Sequence, residues 1–403
     1  MTKNTIVAFL LSFFVFIPSD IFAVTYSWSS LTDFKGIDQF NLFLKGDLKY
    51  FRSDVEGRVA VGGNAELKGF DIGLKAPKND FNLIVGGELA AGGLGNGEGG
   101  QVNNGGIYAR GDIKLQRVGL PQGNVESKGK IELEQVTVNK GDVKAKNAIS
   151  FKNAATGNGN VESGGDVNLK DSTVSGDVKA AGNVSLDNSG VTGTIISQQS
   201  GFSPSVDDPF DFDIVDLESI SNNLLHSTNG NITGIGTGSI LLECNNPLVC
   251  YFNISASVIE NAGFFEIKAS NDKTVVINVT GNNSNDKDLT VANIGFRLLG
   301  GIRSPNILYN FVGFDFVLMH NLGLPGSILA PNASIDFYEG NMEGVLMAYN
   351  LTGGSWNNNI RGGQINVPVS EPFTIFMVLT GLIFLAVFYR CMRGGKISFY
   401  CSR

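Results

Sequence analysis

Glycine-led phrases return through the middle of the chain at a fixed interval, and that interval limits the fold more than any other feature. They begin at Gly105, Gly123, Gly141, Gly159, Gly176 and Gly193, in steps of 18, 18, 18, 17 and 17 residues. A second phrase follows six residues after each of the first five, at Gly111, Gly129, Asn147, Gly165 and Gly182. Each repeat therefore divides into about three six-residue pieces. A constant period of this kind marks a solenoid, whose units bury their apolar faces only against their neighbours.

In register, the pieces form columns. The first piece contributes Ile107, Val125, Val143, Val161, Val178 and Ile195. The second contributes Ile113, Ile131, Ile149, Val167 and Val184, and two residues further on Leu115, Leu133, Phe151, Leu169 and Leu186. The third contributes Leu120, Val138, Thr156, Val174 and Val191. Residues two apart on a strand share a face, so these columns point inward. A small-residue column, Ala109, Ser127, Ala145, Ser163 and Ala180, suits the place where the walls of a narrow coil meet. Charged and amide residues such as Asp142 with Lys144 fall outward, and glycines fall at corners. The pattern predicts an all-β chain, a right-handed parallel β-helix of about 18 residues per coil.

The pattern extends in both directions. GRVAVG at Gly57, GNAELK at Gly63 and FNLIVG at Phe81 belong to it, and Gly326 to Gly344 is again 18 residues. GGLGNGEGGQVNNGG reads as a loop thrown out from a corner. Over 209–226 the spacing of Ile214, Leu217, Ile220, Leu224 and Leu225 predicts one α-helix packed alongside, with Asp207, Asp208, Asp211 and Asp213 at its N-terminal end.

The ends read as export signals. Lys3, the apolar run Ile6 to Ile17 and a small residue at Ala23 have the order of a secretory signal peptide over 1–23, with cleavage after Ala23. Residues 24–368 then form the β-helix domain. The uncharged run 373–389 reads as a C-terminal transmembrane helix, and the basic tail 390–403 stays cytoplasmic by the positive-inside rule. In an exported chain Cys244 and Cys250, bracketing CNNPLVC, are expected to form a disulfide. Cys391 and Cys401 fall on the cytoplasmic side.

FNLFLKGDLKYFRSDVEGRVAVGGNAEL, DDPFDFD, TVVINVTG, and NILYNF followed by GSILAPNASIDF and MEGVLMAYNLTG together resemble the choice-of-anchor A family of bacterial surface proteins. The resemblance covers nearly the whole exported body. It implies an adhesive module joined to a surface anchor, similar in build to the ice-binding-like β-helix fold. Ser370, Glu371 and Pro372 before the apolar helix look like a PEP-CTERM sorting motif. That resemblance implies a Gram-negative cell, an exosortase-type enzyme as partner, and an inner-membrane-tethered intermediate on the way to the cell surface or extracellular matrix. Ser370 stands where the pattern has proline, and the tail is longer and carries two cysteines, so a plain membrane anchor is the alternative.

Little here points to chemistry. The net charge of -8 argues against a nucleic-acid partner. Two His and four Cys in 403 residues leave no dense metal cluster, and no cofactor or metal is expected. No GxSxG elbow or GKS/T loop occurs, and His226 and His320 stand alone near apolar residues. The corner column Asn124, Asp142, Asn160 and Asp177 is the place where a polysaccharide-acting enzyme or a calcium ladder would lie, although Asn and Asp suit turns in any case. Ice binding would need a regular face of small hydroxyl side chains; Thr137 and Thr173 recur, but Ala155 and Gly190 break that row. The expected function is non-enzymatic adhesion or biofilm structure, with surface polysaccharide or a host or abiotic surface as partner and the membrane engaged through the C-terminal helix. The alternatives are a polysaccharide-acting β-helix enzyme and an ice-binding-like protein.

Overall fold

The structure is a computed structural model that describes residues 36–93, 99–283, 285–354 and 358–361. Ala23, the motif Ser370 to Pro372 and the apolar run 373–389 lie outside the described residues. Among the described residues no helix is long and apolar enough to cross a membrane.

The chain is all-β, and one repeat is one coil. Ile107, Val125, Val143, Val161, Val178 and Ile195 stand opposite one another on successive parallel strands. The second column, Ile113 to Val184, and the third, Leu120 to Val191, align in the same way. Val143, Ile149 and Phe151 of a single coil are all buried, each worth about 1.5–3 kcal/mol. In the small-residue column Ser127 and Ser163 are fully buried, and their hydroxyls donate to Gly111 O and Asn147 O, both at 2.7 Å. The lumen therefore tolerates serine because each hydroxyl finds a corner carbonyl.

The corners differ from the expectation in one respect. Each coil also has a bend without glycine, at Arg117, Gln135, Asn153, Asp171 and Asn188, all with φ between 49° and 55°. Asn and Asp tolerate left-handed backbone, but it is unfavourable for Arg117 and Gln135. Here the next coil holds it in place: Gln135 N donates to Lys152 O and Asn153 N to Lys170 O.

The chain does not stack in sequence order. The first strand, Leu42–Leu44, pairs with Val59–Val61 on one side and with Leu346–Ala348 on the other. The N-terminal coil thus sits in the middle of the stack. Coils wind from it to one end at Ile195–Ile196, and the chain then returns along the outside. It winds again from the far end, through Val249–Ser255, Thr274–Thr280 and Ile307–Val312, back to the first coil.

The returning strap can be followed through its contacts. Lys128 Nζ (2.7 Å) and Arg110 Nε (3.1 Å) hold Asp208, together with the Tyr108 hydroxyl. Burial alone would raise the Asp208 carboxyl, but these three donors pull it down to about 2. Phe210 and Phe212 pack on Phe43, and Lys45 Nζ donates to Phe212 O and Val215 O. Beneath the strap the outward column turns apolar (Phe43, Ala60, Ile84, Tyr108, Met347, Leu329) and forms a second core with Phe210, Phe212, Leu217 and Ile220.

The helix expected over 209–226 is shorter and divided. A 3-10 turn at Phe212–Ile214 precedes an α-helix at Leu217–Asn223. Asp211 caps the turn by accepting from Asp213 N, and Asp216 caps the helix by accepting from Ser219 N. The acidic residues thus start two short elements instead of one long one, and Ile214 and Leu225 remain exposed. A second short α-helix, Ala256–Glu260, was not anticipated. Cys244 and Cys250 are joined in a disulfide with a Cα–Cα distance of 5.7 Å.

Candidate adhesive surface

The corner column singled out for chemistry is occupied by backbone hydrogen bonds. Asn124 Oδ1 accepts from Asp142 N (3.0 Å), Asp142 Oδ1 from Asn160 N (2.8 Å), Asn160 Oδ1 from Asp177 N (2.9 Å) and Asp177 Oδ1 from Thr194 N (2.7 Å). Another corner repeats the device with Asp47, Asn64, Asp112 and Asp166. At a corner the chain leaves its strand ladder and its N–H loses a partner. A short side-chain acceptor one coil away satisfies that donor. The Asn/Asp alternation is thus accounted for by corner structure.

The outer walls are polar and in register. Lys49, Glu66, Ala90, Lys114 and Glu132 stand side by side on successive strands. Next to them run Gln116, Glu134, Lys152, Lys170 and Asp187. Lys152 and Glu134 are 2.6 Å apart, and Lys114 and Glu132 3.8 Å. Exposed pairs like these contribute roughly 0–1 kcal/mol each, so stability does not explain them. Their effect is to set donors and acceptors in rows about 4.8 Å apart. At Ala90 the row lacks a long side chain, leaving an open groove of about 560 Å³ bordered by Glu66, Glu88, Asp112 and Lys114. A third wall presents Gly119, Thr137, Ala155, Thr173 and Gly190.

The sequence reading missed one carboxylate pair. Asp54 and Asp71 lie opposite each other on adjacent parallel strands, with Asn359 beyond Asp54 and Gln101 beyond Asp71. Burial, and then the Asp54 charge, push the Asp71 carboxyl up to about 6, and burial also raises Asp54. The 17-residue separation was the available signal, hidden because these coils lack glycine phrases at that wall. A group raised in the folded state favours folding below its unfolded pKa and loses that contribution as pH rises through about 6. Asp71→Asn is therefore expected to stabilise the protein at pH 8 by about 1 kcal/mol, after allowance for solvent screening, with the gain disappearing by about pH 4. Thermal unfolding of both proteins across that pH range checks it.

The two histidines remain separate. The His226 ring lies 4.5 Å from that of Tyr251, and His320 Nε2 is 3.1 Å from Glu339 Oε2. Among the described residues no group of three His, Cys, Asp or Glu side chains is placed to hold a metal ion.

The described body is thus a stack of parallel coils with polar outer walls. The chain belongs to the family described as Putative Ice-binding-like adhesive domain, whose model matches residues 33–156 and 104–359, and it is an adhesin-like surface protein. No curated protein matches it in sequence. Among solved structures it is similar to the C-terminal domain of a tapirin from Caldicellulosiruptor kristjanssonii, at 13% identity over 71% of this chain and 94% of that one, TM-score 0.29. It is similar to an ice binding protein from an Antarctic bacterium, Flavobacteriaceae, at 12% identity over 83% and 98%, TM-score 0.23. It is also similar to the C-terminal domain of a possible adhesin from Caldicellulosiruptor kronotskyensis, at 11% identity over 85% and 96%, TM-score 0.28. At these scores the likenesses carry no functional argument.

Proposed function

We propose that the chain is a non-enzymatic adhesin of the cell surface or extracellular matrix, acting in attachment or biofilm structure. It works by many weak contacts along a stiff, right-handed parallel β-helix. The supporting observation is the set of in-register polar rows on a chain of the adhesive family. Donors and acceptors repeating about every 4.8 Å suit a partner with its own repeating hydroxyl groups, and polysaccharide is the proposed one. Export through the signal peptide ending at Ala23, and sorting through Ser370, Glu371 and Pro372 by an exosortase-type enzyme, belong to the same proposal, as does the choice-of-anchor A assignment. Deleting the protein should reduce surface attachment and matrix, and the released protein should bind surface glycans. Unchanged attachment together with no binding on a glycan array would remove the adhesive reading. Mass spectrometry of the released form should find its end near Glu371 or Pro372.

The Asp54–Asp71 pair favours a second reading, an enzyme acting on polysaccharide, because two carboxylates with raised pKa could share acid and base roles. New reducing ends produced from matrix glycans by the protein, and lost in Asp54→Asn with Asp71→Asn, would support it.

A further inference from the structure

The two ends of the coil stack are finished differently. At the end formed by Val249–Ser255, the edge is covered by residues 226–229. Asn229 N donates to Tyr251 O, Asn229 Nδ2 to Val249 O, and Asn229 Oδ1 accepts from Tyr251 N. Thr228 Oγ1 accepts from Asn253 N. The short strand Asn231–Thr233 closes the neighbouring edge by pairing with Ser239–Glu243.

Among the described residues the opposite end has no such cover. Val184–Asp187, Gly190–Val191 and Ile195–Ile196 each pair on one side only among the described residues. Leu186 and Ile195 continue columns that are buried in every earlier coil, yet here they are 44% and 42% exposed, and Ile196 is 44% exposed. Edge strands of soluble proteins are usually guarded by charge. This coil does the reverse. Residues 183–199 carry one charge, Asp187, whereas residues 166–182 carry five: Asp166, Lys170, Asp171, Asp177 and Lys179. Asp187 is itself within 3.9 Å of Lys170 Nζ.

We infer that this end is an interface for a second copy of the chain, meeting it end to end about a two-fold axis. Identical edges related by a two-fold run antiparallel, so the free N–H and C=O groups of one face those of the other. The apolar ends of the two lumens then cover each other. A chain of net charge -8 ordinarily repels its own copies, and the near absence of charge on this one coil removes that repulsion where contact occurs. Three strands of four, two and two residues form a small contact, below a standard interface, so the association is weak and acts where copies are crowded on a surface.

The test uses the full chain in mild detergent, by sedimentation and small-angle scattering over about 1 µM to 1 mM. The expected result is a concentration-dependent rise from monomer to dimer, with nearly doubled particle length. Leu186→Lys with Ile195→Lys should raise the dissociation constant at least tenfold with unchanged circular dichroism. Ile235→Lys, exposed near the covered end, should leave it unaltered. A monomer at every concentration, a dimer lying side by side, or equal association of the Leu186/Ile195 variant would each overturn the inference.

Discussion

Gly159→Ala is expected to cost about 3 kcal/mol or more, while Gly190→Ala changes stability by less than about 1 kcal/mol and in the favourable direction. Both glycines lie in the repeat, Gly159 at the head of a corner phrase and Gly190 in the outward row with Thr173. At Gly159 a Cβ would fall 1.8 Å from the Gly141 carbonyl oxygen one coil below, far inside contact distance. That oxygen belongs to backbone held by its own ladder, with Gly141 N donating to Asn158 O at 3.2 Å, so no rotamer change can make room. At Gly190 a Cβ would meet nothing within 4 Å, and its backbone is ordinary. Alanine there only reduces the freedom of the unfolded chain. Urea unfolding of the two variants beside the parent protein decides the matter, and equal midpoints would refute this account of the corners.

Asn310→Leu should lower stability by about 3 kcal/mol and release the strap, because it leaves several buried polar atoms without partners. Asn310 Nδ2 donates to Ser221 O (3.0 Å) and Asn278 Oδ1 (2.9 Å), and its Oδ1 accepts from Ser221 Oγ (2.6 Å). Asn278 Nδ2 continues the line to Leu224 O (3.0 Å) and Asn253 Oδ1 (2.9 Å), and Asn253 Nδ2 reaches His226 O (2.9 Å). One coil further on, Leu329 occupies the place of Asn310 in the same outward column and packs against the strap instead. The column changes from leucine to asparagine where the helix ends and its carbonyls need donors. Hydrogen exchange should show protection lost over 217–226 first. Retained protection there would mean that apolar contacts alone hold the strap.

Particular residues show how much could be read in advance. Val125, Val143 and Val161 announced their column by spacing alone, because each coil repeats the same constraint on its neighbour. Asp142 and Asn160 were visible as a column, but their work as acceptors for corner N–H groups required knowing which backbone donors the bend had orphaned. The left-handed bends at Arg117 and Gln135 were hidden, since neither residue type favours that conformation and only the adjoining coil imposes it. The single helix expected from Ile214, Leu217 and Ile220 became a capped turn and a capped helix, because Asp211 and Asp216 each start a separate element. The pair Asp54 and Asp71 lay in coils whose phrases were too irregular to align.

The sequence by itself determined the local rule of this protein: a short strand, a bend and an inward apolar residue, repeated every 17 or 18 residues. That rule is nearest-neighbour in character, so it can be read from any two adjacent coils. The tertiary structure alone decided the order of the coils, with the first strand held between Val59–Val61 and Leu346–Ala348. It also decided where the strap lies and which end is uncovered among the described residues. Those depend on contacts between residues up to about 300 positions apart, such as Leu42 with Leu346, and no periodicity encodes them. Any parallel strand edge can accept any other of matching register. In the final structure the strap's apolar residues cover outward positions that are themselves apolar, among them Phe43, Met347 and Leu329.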